Sequence, residues 1–202
     1  EKINFEIIVV DDCSNDNTSS LLKKNRILYD KIFTLEKNLG KGAAVIKGLN
    51  ESTGDYILFQ DADLEYSPTD YNLLIKPIIE FGADVVMGTR FSGSMFTRVH
   101  YFWHKVGNRS ITFIFNLINN TTFTDIYSCY LIYRKSLVPM EKIVTKGWEQ
   151  HAEILSLAVK NGNIFYEVPI TYRGRSYEEG KKIRAHHTFK IVYTIIKKYF
   201  FS

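Results

Sequence analysis

Two cysteines, Cys13 and Cys129, are too few for a disulfide framework in a chain of 202 residues, and they point to a reducing compartment. Four prolines and twelve glycines exclude collagen-like and Pro-rich chains. No uninterrupted apolar run reaches the roughly 18 residues that a membrane span requires. No signal-peptide pattern opens the sequence. The phosphate loop G-x-x-x-x-G-K-[ST] is absent, as are nucleic-acid-binding motifs, internal repeats and low-complexity segments. What is present is globular: 45% hydrophobic and 24% charged residues, with 13 Tyr and 14 Phe. That composition excludes a disordered or fibrous chain, and the length suits one domain, with or without an appendage.

The net charge of +4 is uneven. From Thr171 onward eight Lys/Arg face Glu178 and Glu179, a surplus of +6, so the first 170 residues carry −2. A mildly acidic body with a basic end suits an anionic partner met at that end; a solvated charged face is the alternative.

Phe5 to Val10 reads as a buried parallel strand, and it stops at the turn chemistry of Asp11-Asp12-Cys13-Ser14-Asn15-Asp16. The chain begins almost inside this strand, so an earlier strand is expected to be missing. A helix to about Tyr29 should follow, then a strand over Lys31 to Leu35 and a helix opened by Gly40-Lys41-Gly42. Asp55 to Gln60 is the next strand, Pro68 starts a helix ending at Phe81-Gly82, and Asp84 to Gly88 is again a strand. This β-α-β rhythm predicts a mostly parallel sheet flanked by helices, with ligands at the strand C-termini. Further on, Val106 to Asn119 and Trp148 to Lys160 read as helices. Ser128 to Arg134 and Ile164 to Ile170 read as strands, with Pro169 placing the last at an edge or near its end. His186 to Phe201 is amphipathic. Ile191, Val192, Ile195, Ile196, Tyr199 and Phe200 fall on one side, and Lys190, Thr194, Lys197 and Lys198 on the other. Such a helix either packs on the domain or lies in a membrane interface.

Three carboxylates in five residues, Asp61-x-Asp63-x-Glu65, directly follow a strand. Like charges this close repel unless a cation holds them, and oxygen-only ligands favour Mg²⁺ or Mn²⁺ completed by substrate phosphates. Asp11 and Asp12 form a second acidic strand end, suited to a base N–H or ribose hydroxyls. Gly40-Lys41-Gly42 sets flexible backbone beside a cation at a helix start, suited to a phosphate or nucleotide.

The stretches VVDDCSNDNT, NLGKGAAVIKGL, GDYILFQDADLEYSP, ADVVMGTRF, FWHKVGNRSIT, FTDIYSCYLIYR and VPITYRGRSYEEGKKI resemble, in order and spacing, the family-2 inverting glycosyltransferases of the GT-A fold. The branch resembled is the dolichol-phosphate mannose synthase-like, polyprenyl-phosphate group, and the likeness spans nearly the whole chain. It implies a metal-dependent hexosyl transfer from a nucleotide-sugar to dolichyl or undecaprenyl phosphate at the cytoplasmic face of a membrane. The attachment is peripheral, or integral where spans follow residue 202. Within it, residues 1–90 would bind the nucleotide-sugar, 91–185 the acceptor, and 186–202 would form the amphipathic helix. Asp11 and Asp12 would contact the nucleoside with Gly40 and Lys41 beside them, and Asp61, Asp63 and Glu65 would hold the metal ion on the diphosphate. Arg90, with His104 and Lys105, would bind acceptor phosphate. Arg175, Lys181 and Lys182 lie on a loop expected to order over the phosphates. Asp125 stands where the family has its acceptor-side carboxylate.

There are departures from the family pattern. Cys13 replaces the usual Gly, and Arg184-Ala185-His186-His187 replaces a Trp-Lys-Asp-Gly stretch. The processive Q-x-x-R-W pattern is absent. An ionised phosphate acceptor needs no general base, since its second pKa is about 6; a sugar hydroxyl would need one, with Asp125 the candidate. Three alternatives remain: transfer to a saccharide hydroxyl, nucleotidyl transfer, and a non-catalytic polyanion-binding module. The carboxylate cluster generates a direct expectation: Asp63→Ala should cut turnover by orders of magnitude with the fold intact, measured with and without EDTA. Full activity in either case would count against a metal-assisted site.

Overall fold

The computed structural model describes residues 3–91, 102–174 and 187–201. Strand β1 (Ile8–Asp11) leads to helix α1 (Thr18–Lys24), β2 (Lys31–Thr34), α2 (Lys41–Glu51), β3 (Tyr56–Leu58), α3 (Tyr71–Phe81) and β4 (Val85–Thr89). Then follow α4 (Phe102–Asn119), β5 (Leu131–Arg134), α5 (Gln150–Asn161), β6 (Phe165–Pro169) and α6 (His187–Phe201). β1 and β2 pair in parallel as their own small sheet. The larger sheet has the order β3-β5-β4-β6. β5 is antiparallel to both of its neighbours and β4 is parallel to β6, so β3, β4 and β6 share one direction and β5 alone is reversed. The α/β class and the mostly parallel sheet therefore hold, in two pieces rather than one.

Alternation along the strands builds two cores, one on each face of the larger sheet. Val85, Met87, Leu131 and Tyr133 face a cluster completed by Leu155 and Ala158 of α5, Phe115 of α4 and Ile191 and Ile195 of α6. Val86, Tyr130 and Ile132 face the opposite cluster, with Leu74 of α3, Tyr66 and Ile170. Because both faces are covered, β4 is buried at every position and reads in sequence as an unbroken apolar run. Pro169 ends the edge strand β6, where a missing N–H costs no ladder bond inside the sheet. Gly82 closes α3 at φ 65°, a left-handed cap that favours glycine. β1 differs from its expected bounds. Phe5 and Ile7 are exposed, and only the stretch from Ile8 finds a partner strand.

α6 corrects the expected division of its faces. The buried stripe is Ile191, Thr194, Ile195 and Lys198, at spacings of three and four residues. Lys198 turns inward because Glu153 of α5, fully buried, accepts a 2.8 Å ion pair from its Nζ. The Glu153 carboxylate also accepts bonds from the Val144 and Thr145 N–H groups and the Thr145 hydroxyl. The helix is thus part of the core, while Phe189, Tyr193 and Phe200 form a second apolar stripe on its exposed side.

Burial alone would raise the Glu153 carboxyl, but the bonds from Lys198 and Thr145 outweigh it and hold the group below its ordinary value of 4.5. A depressed carboxyl contributes stability in full above its unfolded value and loses it as pH falls further. Lys198→Ala leaves that charge buried without its cation and should cost about 3 kcal/mol in denaturant unfolding at pH 7. The parent's stability should decline below about pH 4.5 more steeply than that of the variant.

Candidate active site

The loops leaving the C-terminal ends of β1, β3 and β4 carry the residues singled out in the sequence. After β1, Asp11 is buried and accepts the Ser14 N–H at 3.1 Å and the Ser14 hydroxyl at 2.5 Å. The Asp12 carboxylate accepts the N–H groups of Leu39 at 2.8 Å and Gly40 at 2.7 Å. Both acids therefore shape the loops around the mouth of the first sheet. Cys13, directly after them, has φ 57°, a left-handed conformation that favours glycine.

Gly40-Lys41-Gly42 is constrained rather than flexible. Gly40 has φ 90°, and a Cβ on Gly42 would lie 2.2 Å from the Lys146 carbonyl oxygen. α2 consequently starts in backbone contact with the segment before α5, and Gln150 Nε2 fastens the contact by donating to the carbonyls of Gly42 and Thr145. Lys41 reaches across to Asp61, its Nζ 2.5 and 2.7 Å from the two carboxylate oxygens, and Asp63 is within its electrostatic reach.

The loop after β3 is set by tyrosines. Gln60 Oε1 accepts from Tyr71 at 2.9 Å and from Tyr130 at 2.7 Å, and its Nε2 donates to the Asp61 carbonyl. Asp63 accepts the Glu65 N–H at 3.2 Å, and Leu64 takes a left-handed φ of 60°. The three acids do not gather. Among the described residues no group of three His, Cys, Asp or Glu side chains is placed to hold a metal ion. Glu65 instead accepts from the Tyr172 hydroxyl at 3.3 Å, and its carbonyl accepts the Arg173 N–H. In this structure its side chain fastens the start of the basic loop. Asp61 and Asp63 still suit a hard cation, since Mg²⁺ is commonly held by one or two carboxylates with phosphates and water completing the shell.

At the end of β4, Arg90 makes a paired contact with Asp125, Nε to Oδ2 at 2.6 Å and Nη2 to Oδ1 at 2.8 Å. Asp125 is fully buried and also accepts the Arg90 and Tyr127 N–H groups. Burial opposes the guanidinium charge, but Tyr66 and Asp125 outweigh it, and the Arg90 pKa stands above its ordinary value. The Tyr172 ring lies 5.0 Å from the guanidinium carbon. Both Asp125 oxygens are occupied by cationic or amide donors, so its carboxylate anchors Arg90 in this structure. Glu167 of β6 supports the anchor by accepting the N–H groups of Thr124 and Asp125.

His104, half-buried, and Lys105, exposed, stand in the first turn of α4. Arg175, Lys181 and Lys182 lie outside the described residues. Sequence reasoning missed Gln60, Glu167 and His151. Gln60 directly precedes the acidic motif, whereas Glu167 and His151 sit inside element patterns that gave no functional signal. Burial raises the Cys129 thiol to about 12, so it is a neutral packing group.

The sequence pattern described as Glycosyl transferase family 2 matches residues 1–139. The chain belongs to this family. As a family-2 member it is a glycosyltransferase. It is 30% identical to the UDP-N-acetylglucosamine–dolichyl-phosphate N-acetylglucosaminyltransferase of Methanococcus voltae, over 94% of this chain and 83% of that protein. It is 30% identical to the dolichol-phosphate mannosyltransferase of Pyrococcus furiosus, over 90% of this chain but only 53% of that one. Glucosyl-3-phosphoglycerate synthase of Mycobacterium tuberculosis, solved with Mn²⁺, UDP and phosphoglyceric acid, superposes with a TM-score of 0.67 over 98% of this chain and 68% of that chain. At 16% identity that likeness establishes the GT-A fold alone.

The left-handed backbone at Cys13 makes Cys13→Gly a relief of strain. That variant should be as stable as the parent or up to about 1 kcal/mol more stable by denaturant unfolding. Gly42→Ala should instead lower the melting temperature and weaken nucleotide binding, because the added methyl meets backbone that cannot rotate away.

Proposed function

We propose that this family-2 glycosyltransferase moves a hexose from a nucleotide-sugar to a polyprenyl phosphate. The observation that carries the reading is Arg90. Its Asp125 pair uses two of the five guanidinium N–H donors and holds the group rigidly at the end of β4, in the same rim of loops as Asp61 and Asp63. A fixed guanidinium suits an acceptor phosphate. The likeness to two dolichyl-phosphate transferases supports the same acceptor class.

In this reading residues 1–90 serve the donor and 91–185 the acceptor. The Asp11 and Asp12 loops shape the nucleoside site. Lys41 neutralises charge on the leaving diphosphate, with Arg175, Lys181 and Lys182 adding positive charge for the same phosphates. A divalent ion at Asp61 and Asp63 would, when bound, supply Lewis-acid stabilisation of the same leaving group. The acceptor phosphate, held by Arg90 with His104 and Lys105 near the entrance, attacks C1 of the sugar. The new C1–O bond forms as the C1–O bond to the diphosphate breaks, inverting the anomeric centre and releasing the nucleoside diphosphate. Since the phosphate is mostly a dianion at pH 7, no proton has to be removed. Transfer to a saccharide hydroxyl is disfavoured by Asp125, the only base expected for it, being taken up by Arg90.

A lipid acceptor requires the site to be held at a bilayer. No described helix is long and apolar enough to cross a membrane. α4 exposes Phe102, Trp103, Phe113 and Leu117, and α6, packed beside it, exposes Phe189, Tyr193 and Phe200. We infer a peripheral attachment through these two stripes, with Lys190 and Lys197 adding attraction of roughly 1 kcal/mol each near an anionic surface. Removing α6 would also remove core side chains, so the test uses surface substitutions. Phe189→Ser, Tyr193→Ser and Phe200→Ser together should reduce co-sedimentation with anionic vesicles without lowering the melting temperature. Salt should weaken the parent's binding only in part.

The activity is tested by partitioning radiolabelled product between butanol and water. Label should enter butanol only when polyprenyl phosphate is supplied, and Arg90→Ala should raise acceptor KM or lower kcat with donor binding near normal. Label confined to the aqueous phase would defeat the lipid acceptor. Loss of donor binding in Arg90→Ala would defeat the role given to Arg90.

A further inference from the structure

His151 lies in the first turn of α5. Its Nε2 is buried and has no hydrogen-bond partner. Such a nitrogen is costly to bury unpaired, and native proteins seldom tolerate one that no ligand satisfies. The surroundings place it near both charged halves of the site. Its neighbour Gln150 is tied to Gly42, next to Lys41. Its ring packs 6.0 Å from Tyr127, whose N–H binds Asp125. Lys41 and Asp61 of one ion pair, and Asp125 and Arg90 of the other, all lie within its electrostatic reach. A group close to both the diphosphate side and the acceptor side is within reach of the sugar that passes from one to the other.

We propose that His151 is a specificity-determining residue, with Nε2 hydrogen-bonded to a hydroxyl of the donor sugar. The assignment rests on the nucleotide-sugar reading above. Burial, helped by the Lys41 ammonium and opposed by Asp61 and Asp125, lowers the imidazole to about 4, so it is neutral at pH 7. A neutral ring is poorly matched to a phosphate, for which Lys41 and Arg90 are already in place. A hydroxyl both donates and accepts, so it satisfies Nε2 in either tautomer. A site built around such a bond discriminates against a ligand that lacks the hydroxyl.

The test compares binding of a nucleotide-sugar with binding of its own nucleoside diphosphate, by calorimetry with Mn²⁺, for UDP-N-acetylglucosamine with UDP and for GDP-mannose with GDP. For whichever sugar nucleotide the parent binds, His151→Ala should weaken it about tenfold or more, while the diphosphate alone binds within about twofold of the parent. His151→Gln, which can return an amide to the same place, should recover part of the loss. Should the alanine variant unfold, His151→Phe fills the volume without the nitrogen and should show the same selective loss. Equal weakening of both ligands, or no weakening of either, overturns the assignment while leaving the glycosyltransferase reading in place. A parent chain that binds neither sugar nucleotide overturns the nucleotide-sugar reading, and this assignment with it.

Discussion

The buried pair between Arg90 and Asp125 is the constraint around which the site is arranged. Neither charge is cheap to remove from water, and the pair is tolerable because its geometry is paired and its remaining lone pairs are occupied. It joins the end of β4 to the turn before β5. From there Glu167 carries the link to β6 through Thr124 and Asp125. On its other side the guanidinium meets Tyr172, which binds Glu65, so the acidic loop and the start of the basic loop share the same support. Losing either charge would leave the other buried and unpaired, and three loops would lose their common fixing point.

A second support comes from α5. Its side chains are buried almost throughout, and it carries polar groups that a core helix would ordinarily avoid. Gln150 fastens α2, Glu153 fastens α6 and the segment ahead of α5, and His151 presents the nitrogen left unpaired. The helix thereby couples the donor-side loop of Lys41 to the surface stripes of α4 and α6. The α6 helix carries two different stripes. One stripe packs against α5 and α4, while the opposite stripe remains apolar and exposed.

The acidic motif shows how far a pattern reaches. Spacing alone brought Asp61, Asp63 and Glu65 together on one loop, and the loop is where expected. The left-handed turn at Leu64 and the grip of Tyr172 draw Glu65 into a separate task. Asp12 likewise lies at the strand end foreseen for it, yet its carboxylate closes on the Leu39 and Gly40 amides. Position along a strand was legible; the partner of each oxygen was not, because those partners come from 20 to 107 residues away or from backbone whose direction depends on a turn.

The sequence by itself determined the α/β class, nearly every helix and strand, the family and the rim of loops that carries the charged residues. These follow from local periodicity, from turn chemistry and from motifs written in consecutive residues. Only the tertiary structure decided that β5 runs against its neighbours, that Asp125 pairs with Arg90, and that Lys198 points inward to Glu153. It also decided that His151 is left with a buried, unpartnered nitrogen near two ion pairs. Each of these depends on which distant group meets a side chain once the cores have formed, and burial then fixes the cost of every charge that finds, or fails to find, a partner.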